Sequence, residues 1–201
     1  ACASGADVVI IDIEDAVAPS EKQSARDAIG AWLGPQKNVY LRVNAADSEW
    51  FSADLELLRL PGVRGVVLPK SEGNQEIDAV TASAPGKMNI VPLIETAAGL
   101  WHVERVARAR GVELLAFGSI DFQLDTGIGG ERDELLMARS QLVLVSRIAR
   151  IAPPIDGVTL ELGDTLQLER DVAHARCLGF GAKLCVHPSQ IASVERGFAP
   201  G

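Results

Sequence analysis

The sequence predicts an α/β protein, a TIM-type (β/α)8 barrel that lacks its first strand and a C-terminal segment. Three observations predict it. Short apolar, β-branched runs recur along the 201 residues. Segments of helical periodicity separate them, so strand and helix alternate as they do in parallel sheets. Most of the runs are continuously apolar, which is the pattern of strands covered on both faces.

The expected strands are Val8–Ile13, Asn38–Val43, Val63–Leu68, Asn89–Ile94, Glu113–Gly118, Ile155–Leu162 and Lys183–Val186. Ser20-Glu-Lys-Gln23 has the form of a capping box, opening a helix that runs to about Leu33. A second helix is expected over Thr96–Arg110, closed by Gly111. A third is expected over Glu134–Ile151, stopped by Pro153-Pro154, and a fourth over Leu166–Leu178, closed by Gly179. Seven strands suit a barrel better than an open five- or six-stranded sheet, and no Gly-rich phosphate loop follows the first strand. Gly127-Ile-Gly-Gly130 reads as a plain loop. A complete barrel takes about 250 residues and eight strands. The expectation is therefore one domain over residues 1–201, with the first strand outside the sequence.

Composition narrows the function. Charged residues are 23%, aromatics 4% and net charge −8, with no Lys/Arg cluster, so a nucleic-acid surface is not expected. No apolar run approaches the ~18 residues of a membrane span, so no membrane partner is expected either. Cys2, Cys177 and Cys185 are odd in number and widely spaced, without a C-x-x-C pair. They predict buried free thiols and a reducing, cytoplasmic setting.

In parallel α/β folds the chemistry gathers at the C-terminal ends of the strands. Those ends carry Asp12-Ile-Glu14-Asp15, Arg42-Val-Asn44, Lys70, Glu95, Gly118-Ser119-Ile-Asp121 and His187. So many ionisable groups on one rim point to a site. Glu95 and Asp121, on neighbouring strand ends, offer the hard oxygens that hold Mg²⁺, or Mn²⁺ in its place. The competing reading is an ion pair with Lys70 or Arg42. Glu14 and Asp15 either orient the metal's waters or cap the following helix. Asp12 reads as a structural carboxylate. Arg42, an arginine among apolar strand residues, either pairs with an internal carboxylate or clamps a substrate carboxylate. Backbone N–H groups around Gly118 and Ser119 are placed to assist that clamp. Lys70 either balances the acidic rim beside the substrate or forms a Schiff base. Cys185 reads as core, His187 as a positioned binding or structural residue, and Trp50 and Trp101 as packing residues.

Val9–Val17 (VIIDIEDAV), Leu41–Ala45 (LRVNA), Val67–Lys70 (VLPK), Leu93–Thr96 (LIET), Gly118–Phe122 (GSIDF) and Lys183–Gln190 (KLCVHPSQ) occur in that order. With these motifs the chain resembles the citrate lyase beta subunit-like proteins of the HpcH/HpaI aldolase/citrate lyase family. The resemblance implies a Mg²⁺-dependent barrel that cleaves or forms a C–C bond in citryl-, citramalyl- or malyl-type CoA thioesters. The products are acetyl-CoA and a 2-oxo acid, and the assembly is a homo-oligomer, a trimer or hexamer. By motif, Glu95 and Asp121 correspond to the metal ligands, Arg42 to the carboxylate clamp, and Glu14 and Asp15 to the acidic pair near the metal's waters. The family's first strand and its closing C-terminal segment have no counterpart here. Three other readings stand beside it: a metal-dependent aldolase of free 2-oxo acids, a Schiff-base aldolase on Lys70, and a non-catalytic or partner-dependent subunit.

Overall fold

The computed structural model describes residues 4–84, 86 and 88–199. Its strands are β1 (Val9–Asp12), β2 (Val39–Arg42), β3 (Val63–Leu68), β4 (Asn89–Ile94), β5 (Ala116–Phe117), β6 (Ile155–Asp156) and β7 (Ala182–Lys183). They form one sheet in sequence order, parallel throughout. The helices are α1 (Lys22–Trp32), α2 (Phe51–Leu55), α3 (Gln75–Ser83), α4 (Ala97–Trp101), α5 (Val103–Ala107), α6 (Ser119–Thr126), α7 (Leu136–Ala149), α8 (Thr165–Leu178) and α9 (Ile191–Phe198).

Two apolar layers explain the curl of the sheet. On β4, Ile90 and Ile94 face out and Val91 and Leu93 face in, the period-2 alternation of a strand. The outer layer joins Leu41, Val66, Leu68, Leu115 and Phe117 to helical Ile29, Leu58, Ile77, Val106 and Leu142. The inner layer gathers Val67, Val91, Leu93 and Ala116 with Ile10, Tyr40, Ile155 and Leu184, residues drawn from the whole run of strands. Both faces are covered, which is why the runs read as continuously apolar. Among the described residues β1 and β7 do not pair, so the barrel is not closed. An apolar cavity of about 520 Å³ lies between them, lined by Val9, Ile10, Tyr40, Ala182 and Leu184 among others.

Several expected bounds move. β5, β6 and β7 are shorter than their apolar runs. After Asp156 the strand gives way to irregular chain, and the Thr159 carbonyl is taken by the Gln190 side chain at 2.7 Å. Gln190 Oε1 also accepts the Val186 N–H, at 3.0 Å, so β7 ends at Lys183. Cys185 falls beyond that end, and both it and Cys177 are exposed free thiols, not buried ones. Cys2 lies outside the described residues. The capping box at Ser20 does not form. Pro19 to Glu21 make a 3-10 turn without a side-chain cap, and α1 starts at Lys22. The Thr96–Arg110 helix is broken at His102, whose φ of −100° and ψ of 9° are not helical. Thr96 caps α4 by accepting the Gly99 N–H. The third helix ends at Arg150, which takes a left-handed φ of 60° before the prolines are reached. The fourth ends as expected at Gly179, at φ 103°, and starts one residue early, at Thr165, where Asp164 caps it, a cap the sequence reading did not name. Gly127 is the left-handed cap of α6, which the sequence does not announce.

Candidate active site

The β1–β2 register sets Asp12 opposite Arg42. Arg42 Nε and Nη2 donate to the two Asp12 carboxylate oxygens at 2.9 and 2.6 Å. Of the two readings of Arg42, this is the internal pair. Its Nη1 is 3.3 Å from Glu14 Oε2, and Nη2 is 3.3 Å from Asp15 Oδ2. Burial disfavours the guanidinium's charge, but the hydrogen bonds and charge of Asp12, with Glu14 and Asp15, outweigh it and raise the Arg42 pKa. For Asp12 burial pushes upward, and Arg42 with the Glu14 and Ala16 amides holds the carboxyl below its ordinary value.

Glu95 follows the last residue of β4 and is 2% exposed. Its Oε1 accepts the Lys70 backbone N–H at 2.8 Å. Its Oε2 is buried with no hydrogen-bond partner, and such an orphaned oxygen is costly and calls for a cation or a proton. Oε2 of Glu14 also lacks a hydrogen bond but faces Arg42 Nη1. Burial, resisted by the Lys70 amide and reinforced by the nearby charges of Glu14 and Asp121, pushes Glu95 up to about 8. Burial also raises Glu14, to about 7; Arg42 and Lys70 resist, and Asp15 and Asp12 add to it.

Asp121 stands in the first turn of α6, directly after β5. Ile94 and Phe117 are register partners, so Glu95 and Gly118 emerge side by side. A Cβ on Gly118 would sit 2.5 Å from both Cβ and Oε2 of Glu95. The Gly118 N–H is spent on the Ile94 carbonyl at 3.0 Å. Gly118 therefore serves by leaving room for Glu95, and its N–H is not free for a substrate carboxylate. The first intrahelical bond runs from the Phe122 N–H to the Gly118 carbonyl, so the Ser119 to Asp121 amides form the open start of the helix. The Ser119 side chain is buried. Lys70 has φ 47° and an exposed side chain, and its ammonium favours ionisation of Glu14. That placement matches the charge-balancing reading better than a desolvated Schiff-base amine.

Two supporting groups, Lys22 and Asp54, escaped the sequence reading. Lys22 is 5% exposed and donates to the Ile13 and Glu14 carbonyls at 2.9 and 2.6 Å. Asn44 Nδ2 donates to the Ile13 carbonyl and to Asp54, which in turn pairs with Arg26 at 2.9 Å. Together they fix the peptide that carries Glu14. Nothing in the sequence marks Lys22 or Asp54 apart from ordinary helix charges. Trp50 lies under the Lys22 ammonium, 5.1 Å from ring centre. Trp101 is 84% exposed and does not pack in the core. His187 caps the turn before α9.

Among the described residues no three His, Cys, Asp or Glu side chains converge into a full metal-ligand set. Mg²⁺ does not need one, because one or two carboxylates, waters and substrate oxygens complete its shell. The orphaned Glu95 oxygen, the space kept by Gly118 and the repulsion among Glu95, Glu14 and Asp121 all fit a small hard dication.

A family model for the HpcH/HpaI aldolase/citrate lyase proteins matches residues 1–188. The chain belongs to that family. Within this aldolase/citrate lyase family, it is 35% identical over 214 residues to a citrate lyase subunit beta-like protein of Deinococcus radiodurans, covering 98% of this chain and 73% of that one. It is 30% identical over 234 residues to an L-malyl-CoA/beta-methylmalyl-CoA lyase of Cereibacter sphaeroides, again covering 98% and 73%. Its fold matches that of the citrate lyase beta subunit of Mycobacterium tuberculosis, solved with oxaloacetate and magnesium, at a TM-score of 0.87. That match covers 100% of this chain and 90% of the other, at 29% identity. Among the described residues no helix is long and apolar enough to cross a membrane.

Proposed function

We propose that the protein is a Mg²⁺-dependent carbon–carbon lyase of 3-hydroxyacyl-CoA thioesters of the citryl-, citramalyl- or malyl-CoA kind. Cleavage gives acetyl-CoA and a 2-oxo acid, and the reverse reaction forms the bond. The observation that carries this reading is Glu95: a buried carboxylate with one unpartnered oxygen, crowded by Glu14 and Asp121 and set beside Arg42. The lyase named among its relatives and the solved relative holding oxaloacetate and magnesium support the same chemistry.

Glu95 and Asp121 would hold Mg²⁺, or Mn²⁺ in its place, and the bound ion supplies Lewis-acid stabilisation of negative charge on the substrate oxygen. Arg42, steadied by Asp12, presents Nη1 to the substrate carboxylate, with the Ser119 amide at the start of α6 on the other side. Glu14 and Asp15 orient water at the rim, and Lys70 balances their charge. In cleavage the substrate hydroxyl gives up its proton, the C–C bond breaks, and its electron pair leaves as the enolate of acetyl-CoA, which then takes a proton. Enclosure of the acids lowers the effective dielectric and strengthens each of these interactions.

An eighth parallel strand between β1 and β7, beside the apolar cavity there, would complete the barrel. We assign the protein to a homo-oligomer, a trimer or hexamer. Met137, Leu144 and Ile148 stand exposed along α7, with Trp101 on the adjoining helix, as an apolar surface for such an assembly to cover.

A product assay tests the reading. Full-length protein given citryl-, citramalyl- and malyl-CoA with Mg²⁺ is expected to release acetyl-CoA from one of them, and EDTA to stop it. No release from any, with Mg²⁺ still bound, would overturn the thioester reading in favour of free 2-oxo acids or a partner-dependent subunit. Borohydride trapping on Lys70 with EDTA-resistant turnover would overturn the metal reading.

A further inference from the structure

Three buried charges gather where β6 and β7 end. Asp156 ends β6, Lys183 ends β7 and Arg139 reaches in from α7. Arg139 Nε donates to Asp156 Oδ1 at 2.9 Å, and Lys183 Nζ is 3.7 Å from Asp156 Oδ2. Their side chains are 9%, 2% and 2% exposed for Arg139, Asp156 and Lys183. Burying two cations around one acid is a poor way to gain stability, because desolvation offsets the attraction. Burial accordingly lowers the Lys183 pKa, with Asp156 and Asp171 opposing.

What the cluster grips accounts for it. Lys183 Nζ donates to the Gly157 carbonyl at 2.6 Å. Gly157 is wedged against the start of α6: a Cβ there would sit 2.3 Å from Ser119 Oγ and 3.1 Å from the Phe117 carbonyl oxygen. The Arg139 guanidinium lies 5.5 Å from the centre of the Phe117 ring. The segment Phe117-Gly118-Ser119 is thus pressed from two sides by groups anchored to Asp156. That segment is the turn from β5 into α6, whose first turn carries Asp121.

We infer that Lys183, Asp156 and Arg139 are positioning residues, which set the Phe117–Ser119 turn through the Gly157 carbonyl and the Phe117 ring and so place Asp121 against Glu95. This rests on the reading of Glu95 and Asp121 as a cation-binding pair.

The test is Mn²⁺ binding to the full-length protein without substrate, followed by electron paramagnetic resonance well below the melting temperature. Lys183→Met removes the grip on the carbonyl, and Gly157→Ala disturbs the wedge while leaving every charge in place. Ile77→Ala, a core truncation on α3, serves as a control for lost stability alone. Both site variants are expected to weaken Mn²⁺ binding at least tenfold, while Ile77→Ala lowers the melting temperature and leaves the affinity as it is. If Lys183→Met does not fold, Gly157→Ala carries the test alone. Mn²⁺ affinity within twofold of the parent in Gly157→Ala overturns the inference, as does an equal loss in Ile77→Ala. If the parent protein itself binds no Mn²⁺, the cation-pair reading falls and takes the inference with it.

Discussion

Asp12 takes both the Nε and the Nη2 edges of Arg42, through hydrogen bonds of 2.9 and 2.6 Å across the β1–β2 ladder. Nη1 faces Glu14 Oε2 and Nη2 also faces Asp15 Oδ2, each at 3.3 Å. The arginine is therefore held among three carboxylates before any substrate arrives, and a substrate carboxylate at Nη1 has to share or displace the Glu14 contact.

Asp12→Asn keeps the shape of this contact and removes its charge. It should raise KM for the thioester roughly tenfold and lower stability by about 1.5–3 kcal/mol, the range of a hydrogen bond to a charged group. Steady-state kinetics and urea unfolding read the two effects. The Asp12 carboxyl is held below its ordinary value, so its contribution is present at neutral pH and lost as pH falls through the folded pKa. The two proteins should converge in stability at acid pH. Arg42→Lys should raise KM further, since a point charge replaces the fork.

Glu95→Gln should abolish tight Mg²⁺ binding and reduce turnover by about a thousandfold or more, each tenfold being about 1.4 kcal/mol of barrier. The same variant should be more stable than the parent at pH 8 without divalent ions, because a buried charge has been deleted. Calorimetric titration and thermal melting check the pair of outcomes. Retained Mg²⁺ affinity would remove Glu95 from the site.

Glu14 and Glu95 rise from an ordinary value of 4.5 to about 7 and about 8. Between those limits the folded protein keeps protons that the unfolded chain has released. Without divalent ions, stability should therefore fall as pH rises from about 5 to 8, the opposite of the Asp12 effect. Mg²⁺ should flatten the slope, and its binding should release protons into the medium. Urea midpoints across that range, with EDTA and with Mg²⁺, test the sign.

Gly118→Ala places a methyl where Glu95 Cβ and Oε2 already stand, 2.5 Å away. Turnover should drop at least a hundredfold although no charge changes, and Mg²⁺ affinity should fall with it. Unchanged Mg²⁺ affinity would show that the site does not need Glu95 where it stands.

The parallel order and the rim were legible because they follow from local pattern. Continuous apolar runs fix strands covered on both faces, and polar residues just after Asp12, Leu68, Ile94 and Phe117 mark the ends. Strand length after β4 was not legible: β6 and β7 are cut short by Gln190, a side chain far along the sequence that takes the Thr159 carbonyl and the Val186 N–H. The short helices α2, α6 and α9 hold too few residues to show a period, and α4 and α5 read as one helix because nothing in the pattern marks the break at His102. Glu95 and Asp121 could be named from their places after β4 and β5. The partner of Arg42 could not, because choosing Asp12 over a ligand depends on cross-strand register. Lys183, Asp156 and Arg139 were hidden for a related reason, since each reads as an ordinary charge until β6, β7 and α7 are brought together.

The attachment of Glu95 to Lys70 has a consequence for how this site tolerates change. The donor is the main-chain amide of residue 70, supplied by a backbone at φ 47°. Any amino acid but proline carries that amide, so replacing the Lys70 side chain leaves the tether standing. Glycine, which adopts positive φ without steric cost, would hold it with less strain. Alanine scanning is blind to this bond. Sequence drift at position 70 can retune the charge around Glu14 while the grip on Glu95 passes unchanged from one variant to the next.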